Sequence, residues 1–197
     1  MFDALVVGAG QAGLAMSYHL RQRDVEHVVL ELGEVGETWR SQRWDSFAVN
    51  TPNWAKALPG DPYRESEADG FHLRDQLVES FERYREKFDL PVRARVDVTS
   101  VLPAAEGGFS VGTSNGAFAA SNVIVAAGVM NAPRVPAVSA RFPESITQLH
   151  TASYRNPEQL PEAGGRRTSV RVGSAVSSAA IAAGTSSSGG GTCGFST

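Results

Sequence analysis

Cysteine is almost missing from this chain, which holds one such residue, Cys193, in 197 positions. A single cysteine in a stretch of glycine and serine excludes a disulfide framework and a cysteine-based metal cluster, and it offers no convincing nucleophile. Runs of 18 apolar residues are also missing, as are the basic and apolar regions of a secretory signal at the N terminus. We therefore expect a cytoplasmic protein.

A strong excess of charge is missing as well. The formal net charge is -3 at pH 7, and the sequence contains no basic patch. Nucleic acid and anionic membranes are therefore not expected as partners. Paired carboxylates, a Ser/His/Asp arrangement and metal-ligand spacings are not found either, so we expect no metal. The length suits one good-sized domain and is short for two.

A glycine-rich motif follows the first predicted strand. The apolar residues 4–7 are typical of a buried strand in a parallel sheet. The motif GxGxxG comes next, and its candidate nucleotide-binding residues are Gly8, Gly10, Gln11, Ala12 and Gly13. The first glycine permits a tight turn, the second lets a pyrophosphate approach the backbone, and the third lets a helix pack against the strand. A glycine-rich turn without a ligand is the alternative interpretation.

The residues after this motif complete a strand-turn-helix-strand unit. Residues 14–21 are predicted to form a helix whose N-terminal amides and positive dipole end face the phosphates. Residues 28–30 form a second strand that ends at Glu31, where the fingerprint places a carboxylate for ribose hydroxyls. The unit predicts an adenine dinucleotide, but it does not choose between FAD and NAD.

A long polar segment follows Glu31. Trp39 and Trp44 alternate there with Arg40 and Arg43, and frequent glycine and proline predict a long functional loop rather than regular structure. Alternatively, the tryptophans form a small apolar cluster under the loop.

Taken together, GxGxxG, the acidic strand end, GETWRSQRWDSF and NTPNW resemble the FAD domain of flavin-containing monooxygenases and their bacterial relatives. The resemblance covers residues 1–161 and implies FAD as cofactor. It also implies that the Trp-Arg segment lies along the flavin pyrophosphate and ring, which gives cofactor-facing roles to Glu37, Trp39, Arg40 and Thr51. The family often has two glycines before the tryptophan, whereas this chain has Gly36-Glu37-Thr38.

Three later elements are predicted from their patterns. Apolar residues at spacings of three and four predict an amphipathic helix over residues 73–88. Asn115-Gly116 predicts a hairpin between two strands. Residues 123–128 read as a second buried strand, for which an ordinary core strand is the alternative. The resemblance implies that a backbone group near Val98 meets the adenine, and that small residues stand beside the flavin phosphates: Ala126, Ala127 and Gly128.

The segment ITQLHTASY resembles the end of the FxGxxxHxxxY fingerprint of flavin monooxygenases and Baeyer-Villiger enzymes. His150 and Tyr154 match that pattern, while Ile146 and Gln148 replace its phenylalanine and glycine. His150 is therefore a candidate catalytic residue, and a structural hydrogen bond is the alternative.

We predict three parts in an α/β protein. Residues 1–165 form a Rossmann-like FAD-binding domain with a parallel sheet, helices and a hairpin excursion. Residues 166–182 form the degraded start of an NAD(P)-binding domain, in which Ala175 and Ser178 stand where glycines belong, so NADPH binding is doubtful. Residues 183–197 form a disordered Gly/Ser-rich tail.

The family resemblance implies a member truncated after its FAD-binding part. The composition changes after Gly165, which suggests premature termination or a reading-frame change in the gene. Absent sheet partners would expose apolar edges and promote self-association.

By resemblance, NADPH reduces the flavin, which then reacts with oxygen, as in a flavin monooxygenase. The alternative is a catalytically inactive dinucleotide-binding module or fragment. The sequence names no substrate.

Overall fold

The computed structural model describes residues 1–129, 132–144, 146–160 and 180–183. The chain divides into two compact units, Met1–Ala132 and Pro133–Thr197. Apart from the backbone of 180–183, the predicted degraded unit at 166–182 and the predicted tail at 183–197 lie outside the described residues. Across the described ranges, no helix is both long enough and apolar enough to span a membrane.

The first unit is built on a six-stranded sheet. Its strands are β1 (Phe2–Val7), β2 (His27–Leu30), β3 (Val92–Arg93), β4 (Val98–Pro103), β5 (Phe109–Thr113) and β6 (Gly116–Val125). The spatial order is β3-β2-β1-β6-β5-β4. Strand β1 is parallel to β2 and β6, and β2 is parallel to β3, whereas β5 is antiparallel to both β4 and β6. This arrangement confirms the predicted α/β, Rossmann-like fold with a parallel sheet and a hairpin excursion.

The helices of the first unit are α1 (Gln11–Arg21), α2 (Glu37–Ser41), α3 (Glu65–Ala68) and α4 (Arg74–Lys87), with a 3-10 turn at Asn53–Lys56. The second unit has 3-10 turns at Ala137–Arg141 and Pro157–Gln159. Of the helices, α1 and α4 lie where the sequence predicts them. The α4 bounds confirm the helix predicted for residues 73–88 to within one residue at each end. The long loop predicted after Glu31 is therefore interrupted by short helical turns.

The core lies on both faces of the parallel strands. Because side chains alternate along a strand, Val6 joins a cluster with Leu14 of α1 and Phe81 of α4, while its neighbour Leu5 joins a second cluster with Val111 of β5. The apolar run of β1 is thus buried on both sides, as the sequence predicts.

The hairpin predicted at Asn115-Gly116 is confirmed, since Thr113 pairs with Gly116 across the turn. The second strand predicted at residues 123–128 forms only in part and is not fully buried. Strand β6 ends at Val125, whose side chain is 72% exposed. Its parallel partner β1 ends at Val7, opposite Val125. Strand β1 therefore has no further strand residue with which β6 could pair beyond Val125. Gly128 then turns the chain with a φ of 78°.

The second unit contains a two-stranded sheet. Strand β7 (Thr147–His150) pairs antiparallel with β8 (Ala180–Ala183). The histidine of the predicted fingerprint therefore lies at the end of a strand.

Replacing Tyr84 with phenylalanine should cost about 1 kcal/mol of unfolding free energy. The ring is fully buried, and its hydroxyl donates a 2.7 Å hydrogen bond to the carbonyl of Pro59. Burial raises the pKa of Tyr84, so the phenol remains a donor at ordinary pH. Urea denaturation measures the loss. Tyr18→Phe is the matched control, because no hydrogen bond of the Tyr18 hydroxyl is found among the described residues; equal stabilities of the two variants would contradict the expectation.

Candidate functional site

The three glycines of GxGxxG meet three different steric demands. Gly8 has a φ of 104°, and a Cβ added there would lie 2.6 Å from the carbonyl oxygen of Ala126. A Cβ on Gly13 would lie 1.8 Å from the carbonyl oxygen of Gly8. A Cβ on Gly10 would meet no described atom within 4 Å. The fold itself therefore requires the first and third glycines, while the second borders open space among the described residues.

Helix α1 points its N terminus at this open space. Gly10 is the residue that precedes the helix, and no side chain caps the helix there. Its first turn holds no acidic residue, and both Gln11 and Ala12 are exposed. Backbone amides at an uncapped helix N terminus, together with the helix dipole, favour an anion such as a phosphate.

Glu31 ties the end of β2 to the glycine turn. Its side chain is buried, with 9% of the residue exposed, and the carboxylate accepts the Ala9 amide at 2.6 Å and the Gly33 amide at 3.1 Å. The carbonyl of Ala9 in turn accepts the Gly36 amide at 3.2 Å. A carboxylate has about four acceptor positions, so two remain for the hydroxyls of a ribose.

Small residues after β6 complete this end of the sheet. The Ala126 amide donates to the carbonyl of Val7 at 2.8 Å, and Ala126 and Ala127 lie directly against Gly8. Gly128 borders open space on the described side. These residues follow β6, at the end of the sheet where the carboxyl ends of the parallel strands β1, β2 and β6 lie. Open α/β sheets bind their ligands at that end.

The side chains of α2 are engaged in local contacts. Glu37 accepts the Glu34 amide at 3.2 Å and folds over Gly33. Arg40 forms an ion pair with Glu82 of α4. These contacts fasten α2 beside the glycine turn, and they occupy both charged groups that the family resemblance assigns to the cofactor.

Trp39 lies in an aromatic cluster that packs against the main core. Its ring centroid is 5.8 Å from that of Phe47, which also packs at 4.7 Å against Trp44. The guanidinium of Arg43 lies over Trp39 at 5.0 Å, and burial there lowers the Arg43 pKa. The alternative interpretation of the tryptophans, an apolar cluster under a loop, therefore describes Trp39 and Trp44, whereas Trp54 is 62% exposed.

Val98 and Thr51, two other residues predicted to face the cofactor, make contacts in different parts of the first unit. Val98 begins β4 and packs against the cluster of Leu5 and Leu30; two residues earlier, the amide of Val96 donates to the Glu31 carbonyl at 2.8 Å. Thr51 is exposed, and its carbonyl accepts the ammonium of Lys56 at 3.3 Å. The structure thus links the segment near Val98 to the end of β2, and it links Thr51 to Lys56.

His150 takes part in a turn of the second unit. Its Nδ1 accepts the Ala152 amide at 3.1 Å, and its carbonyl accepts the Tyr154 amide at 3.1 Å. The two matched residues of the fingerprint are therefore joined locally. This hydrogen bond is the structural role given as the alternative, and a catalytic role for His150 stays a prediction.

Sequence reasoning missed a group of polar side chains that line a cavity between residues 56–72 and α4. Lys56 and Asn53 are both buried, and the Lys56 ammonium donates to the Asn53 side-chain oxygen at 2.5 Å. A signal was available, because an asparagine and a lysine three residues apart share one helical turn. The remaining cavity residues are scattered along the chain, so no local pattern joins them. Elsewhere, the described residues offer no group of three or more His, Cys, Asp or Glu side chains placed to hold a metal.

Replacing Glu31 with glutamine should lower the free energy of unfolding by about 1–3 kcal/mol. Glutamine keeps one oxygen but turns an amide donor toward either Ala9 N–H or Gly33 N–H, which leaves one buried donor unpaired. Glu34→Gln is the matched control, because Glu34 is partly exposed and pairs with the exposed Arg95 at 2.7 Å. Urea denaturation of both variants measures the difference, and an equal loss in the two would contradict a special role for the Glu31 carboxylate.

Comparison with known proteins places this site in a family. The profile of the pyridine nucleotide-disulphide oxidoreductases matches residues 5–190. The chain is 35% identical over 161 residues to the uncharacterized oxidoreductase CzcO of Bacillus subtilis (strain 168), across 81% of this chain and 46% of that protein. It is 31% identical over 160 residues to the indole-3-pyruvate monooxygenase YUCCA1 of Oryza sativa subsp. japonica, across 80% of this chain and 39% of that protein.

Comparison with solved structures also finds a flavin monooxygenase. A mutant flavin monooxygenase from Stenotrophomonas maltophilia superposes with a TM-score of 0.70 at 28% identity, across 80% of this chain and 47% of that chain. The chain thus spans less than half the length of these relatives. The predicted resemblance to flavin monooxygenases is confirmed, and the chain belongs to the pyridine nucleotide-disulphide oxidoreductase family.

Proposed function

We propose that the first unit binds FAD. We further propose that the chain is part of an FAD- and NADPH-dependent oxidoreductase of the flavin monooxygenase type. The observation that carries this proposal is the open space before Gly10, at the uncapped N terminus of α1 and beside the end of β2. A close-packed turn would have filled that space with a side chain. The flavin monooxygenase among the similar structures supports a flavin as the group that occupies it.

The residues around the turn fit the adenosine diphosphate half of FAD. The amides from Gly10 to Gly13 would hold the pyrophosphate, with Gln11 and Ala12 contributing through their backbone, and Glu31 would accept hydrogen bonds from the ribose. The backbone near Val98 would meet the adenine. Ala126, Ala127 and Gly128 would leave room for the phosphates because their side chains are small or absent.

The residues of α2 would act differently from a simple side-chain contact. Arg40 is paired with Glu82, and Trp39 packs on the core, so we propose that Glu37, Trp39 and Arg40 present their backbone along the cofactor. Thr51 would approach the flavin from the loop that Lys56 holds in place. Bound FAD supplies hydride acceptance and electron transfer to oxygen, while the protein orients it and keeps water out.

A second candidate is a dinucleotide-binding module that catalyses no reaction. It is favoured by the sequence, in which Ala175 takes the position of the second glycine of an NADPH motif. NADPH consumption in the presence of FAD separates the two functions. Steady consumption supports the oxidoreductase, whereas FAD binding without consumption supports the module.

The FAD proposal is tested by competition among nucleotides. Titration with FAD, followed by flavin fluorescence, is repeated in the presence of ADP and then with FMN in place of FAD. Because the proposed contacts of Gly10 and Glu31 are all to the ADP half of FAD, ADP should displace FAD and FMN should bind far more weakly. Tight FMN binding that ADP does not affect would contradict the assignment of Gly10 and Glu31.

We propose that the protein is cytoplasmic, because a single cysteine suits the reducing cytoplasm.

We also propose that copies of the chain associate with each other. Strand β4 lies at the edge of the sheet, where Leu102 is 60% exposed, and an apolar sheet edge favours pairing between copies. Sedimentation at increasing concentration tests the association, and a constant monomer mass would contradict it.

A further inference from the structure

A cavity in the first unit is lined by none of the residues of the glycine turn. Its volume is about 380 Å³, within the range of small-molecule pockets, and it lies between residues 56–72 and α4. Its lining is rich in basic groups: Lys56, Arg64, His72 and Arg83.

Lys56 is a buried cation whose hydrogen-bond partners are neutral. Only 6% of the residue is exposed, and its ammonium donates to the Asn53 side chain at 2.5 Å and to the Thr51 carbonyl at 3.3 Å. Among the ion pairs of the described residues, none includes Lys56. A buried ammonium without a carboxylate is costly, so an anion in the cavity would relieve that cost. Burial already lowers the pKa of Lys56.

The arginines of the cavity are also without ion pairs in the described part of the chain. Arg64 and Arg83 are exposed residues that line the cavity. Of the two carboxylates in the lining, Asp61 is engaged at 2.6 Å by Lys87, which lies outside the lining. This leaves Glu67 against the two arginines and Lys56, so the balance of charge in the cavity is positive.

Two neutral groups add hydrogen-bonding capacity. Burial, Lys56 and Arg83 lower the pKa of His72, so its imidazole is neutral near pH 7. Burial raises the pKa of Tyr63, which therefore keeps its proton. The phenol oxygen lies 3.4 Å from His72 Nδ1. The ammonium of Lys56 and the two guanidinium groups line one space and form a set of donors suited to an oxyanion.

We propose that this cavity binds the oxyanion head of a small molecule, of the phosphate class, held by Lys56, Arg64 and Arg83. Guanidinium groups match the geometry of phosphate oxygens, and the ammonium supplies a buried point charge. The volume leaves space for the rest of a small ligand beside the head group. The lining of the cavity holds none of the residues that we propose to contact FAD, although Lys56 also holds the loop of Thr51.

The test is calorimetric titration of the full chain with inorganic phosphate at constant ionic strength, followed by acetate. Phosphate should bind, and Arg83→Gln should weaken binding about tenfold, the equivalent of one charge-assisted hydrogen bond. Arg64→Gln/Arg83→Gln should abolish measurable binding. Arg23→Gln, which removes the same charge just after the end of α1, should bind like the unchanged chain. Tighter binding of acetate than phosphate would overturn the phosphate class.

Three further results would overturn the site itself. The first is the absence of phosphate binding to the unchanged chain, and the second is equal binding by Arg23→Gln and the double variant. The third is binding that Gly10→Ala removes and Arg83→Gln leaves intact, because that phosphate would occupy the N terminus of α1. Circular dichroism checks that the variants fold, and the ring signals of His72 and Tyr63 should shift with phosphate in the unchanged chain.

Discussion

Replacing Gly10 with alanine is expected to abolish FAD binding and leave the fold intact. The backbone at Gly10 has a φ of -85° and a ψ of -168°, which alanine adopts readily, and the added Cβ would meet no described atom within 4 Å. Because alanine has fewer unfolded conformations than glycine, the free energy of unfolding should stay the same or rise by up to about 1 kcal/mol.

The loss of binding comes from the same open space. The new methyl group would stand where the pyrophosphate must approach the backbone, so the amides at the start of α1 could no longer reach the phosphate oxygens. The dissociation constant for FAD should rise at least about 100-fold, or about 2.7 kcal/mol. Flavin fluorescence titration measures the affinity, and urea denaturation measures the stability. FAD affinity unchanged in a folded Gly10→Ala protein would refute the assignment.

Replacing Gly13 with alanine should have the opposite pattern, a large loss of stability. The added Cβ would lie 1.8 Å from the carbonyl oxygen of Gly8 and 2.9 Å from its carbon, so the turn and α1 must separate. Overpacking against backbone should cost about 3 kcal/mol or more, a large part of the total stability of a domain.

Gly10→Ala serves as the control for this variant, because it adds the same methyl group three residues away. Thermal and urea denaturation of both proteins should show a lowered midpoint for Gly13→Ala alone. If Gly13→Ala unfolds at the same midpoint as the unchanged chain, the close contact between the turn and α1 is wrong.

The features predicted well from the sequence are those set by neighbouring residues. The apolar run before Gly8, the spacing of the glycines and the Asn115-Gly116 turn each restrict the backbone locally, and the structure has a strand, a helix start and a hairpin at these places. The spacing of Leu77 and Phe81 likewise places α4. The parallel sheet with its hairpin excursion was predicted from these elements and from the family resemblance.

The features that the sequence did not give depend on contacts between distant residues. Arg40 forms an ion pair with Glu82, which lies 42 residues later in the chain. No sequence pattern around Trp39 predicts that its ring packs against Phe47. Val125 looks like a buried strand residue, yet it is exposed at the end of the pairing with Val7. The basic cavity joins Lys56 to Arg83 only through the packing of α4 against the loop.

The most direct measurement of the central claim, an FAD site at the start of α1, is the visible absorption spectrum of the purified protein, followed by chromatographic identification of the nucleotide released on denaturation. We predict that the protein shows a flavin spectrum, either as purified or after incubation with FAD and removal of the excess, and that the released nucleotide is FAD. A folded protein that stays colourless after incubation with FAD would contradict it.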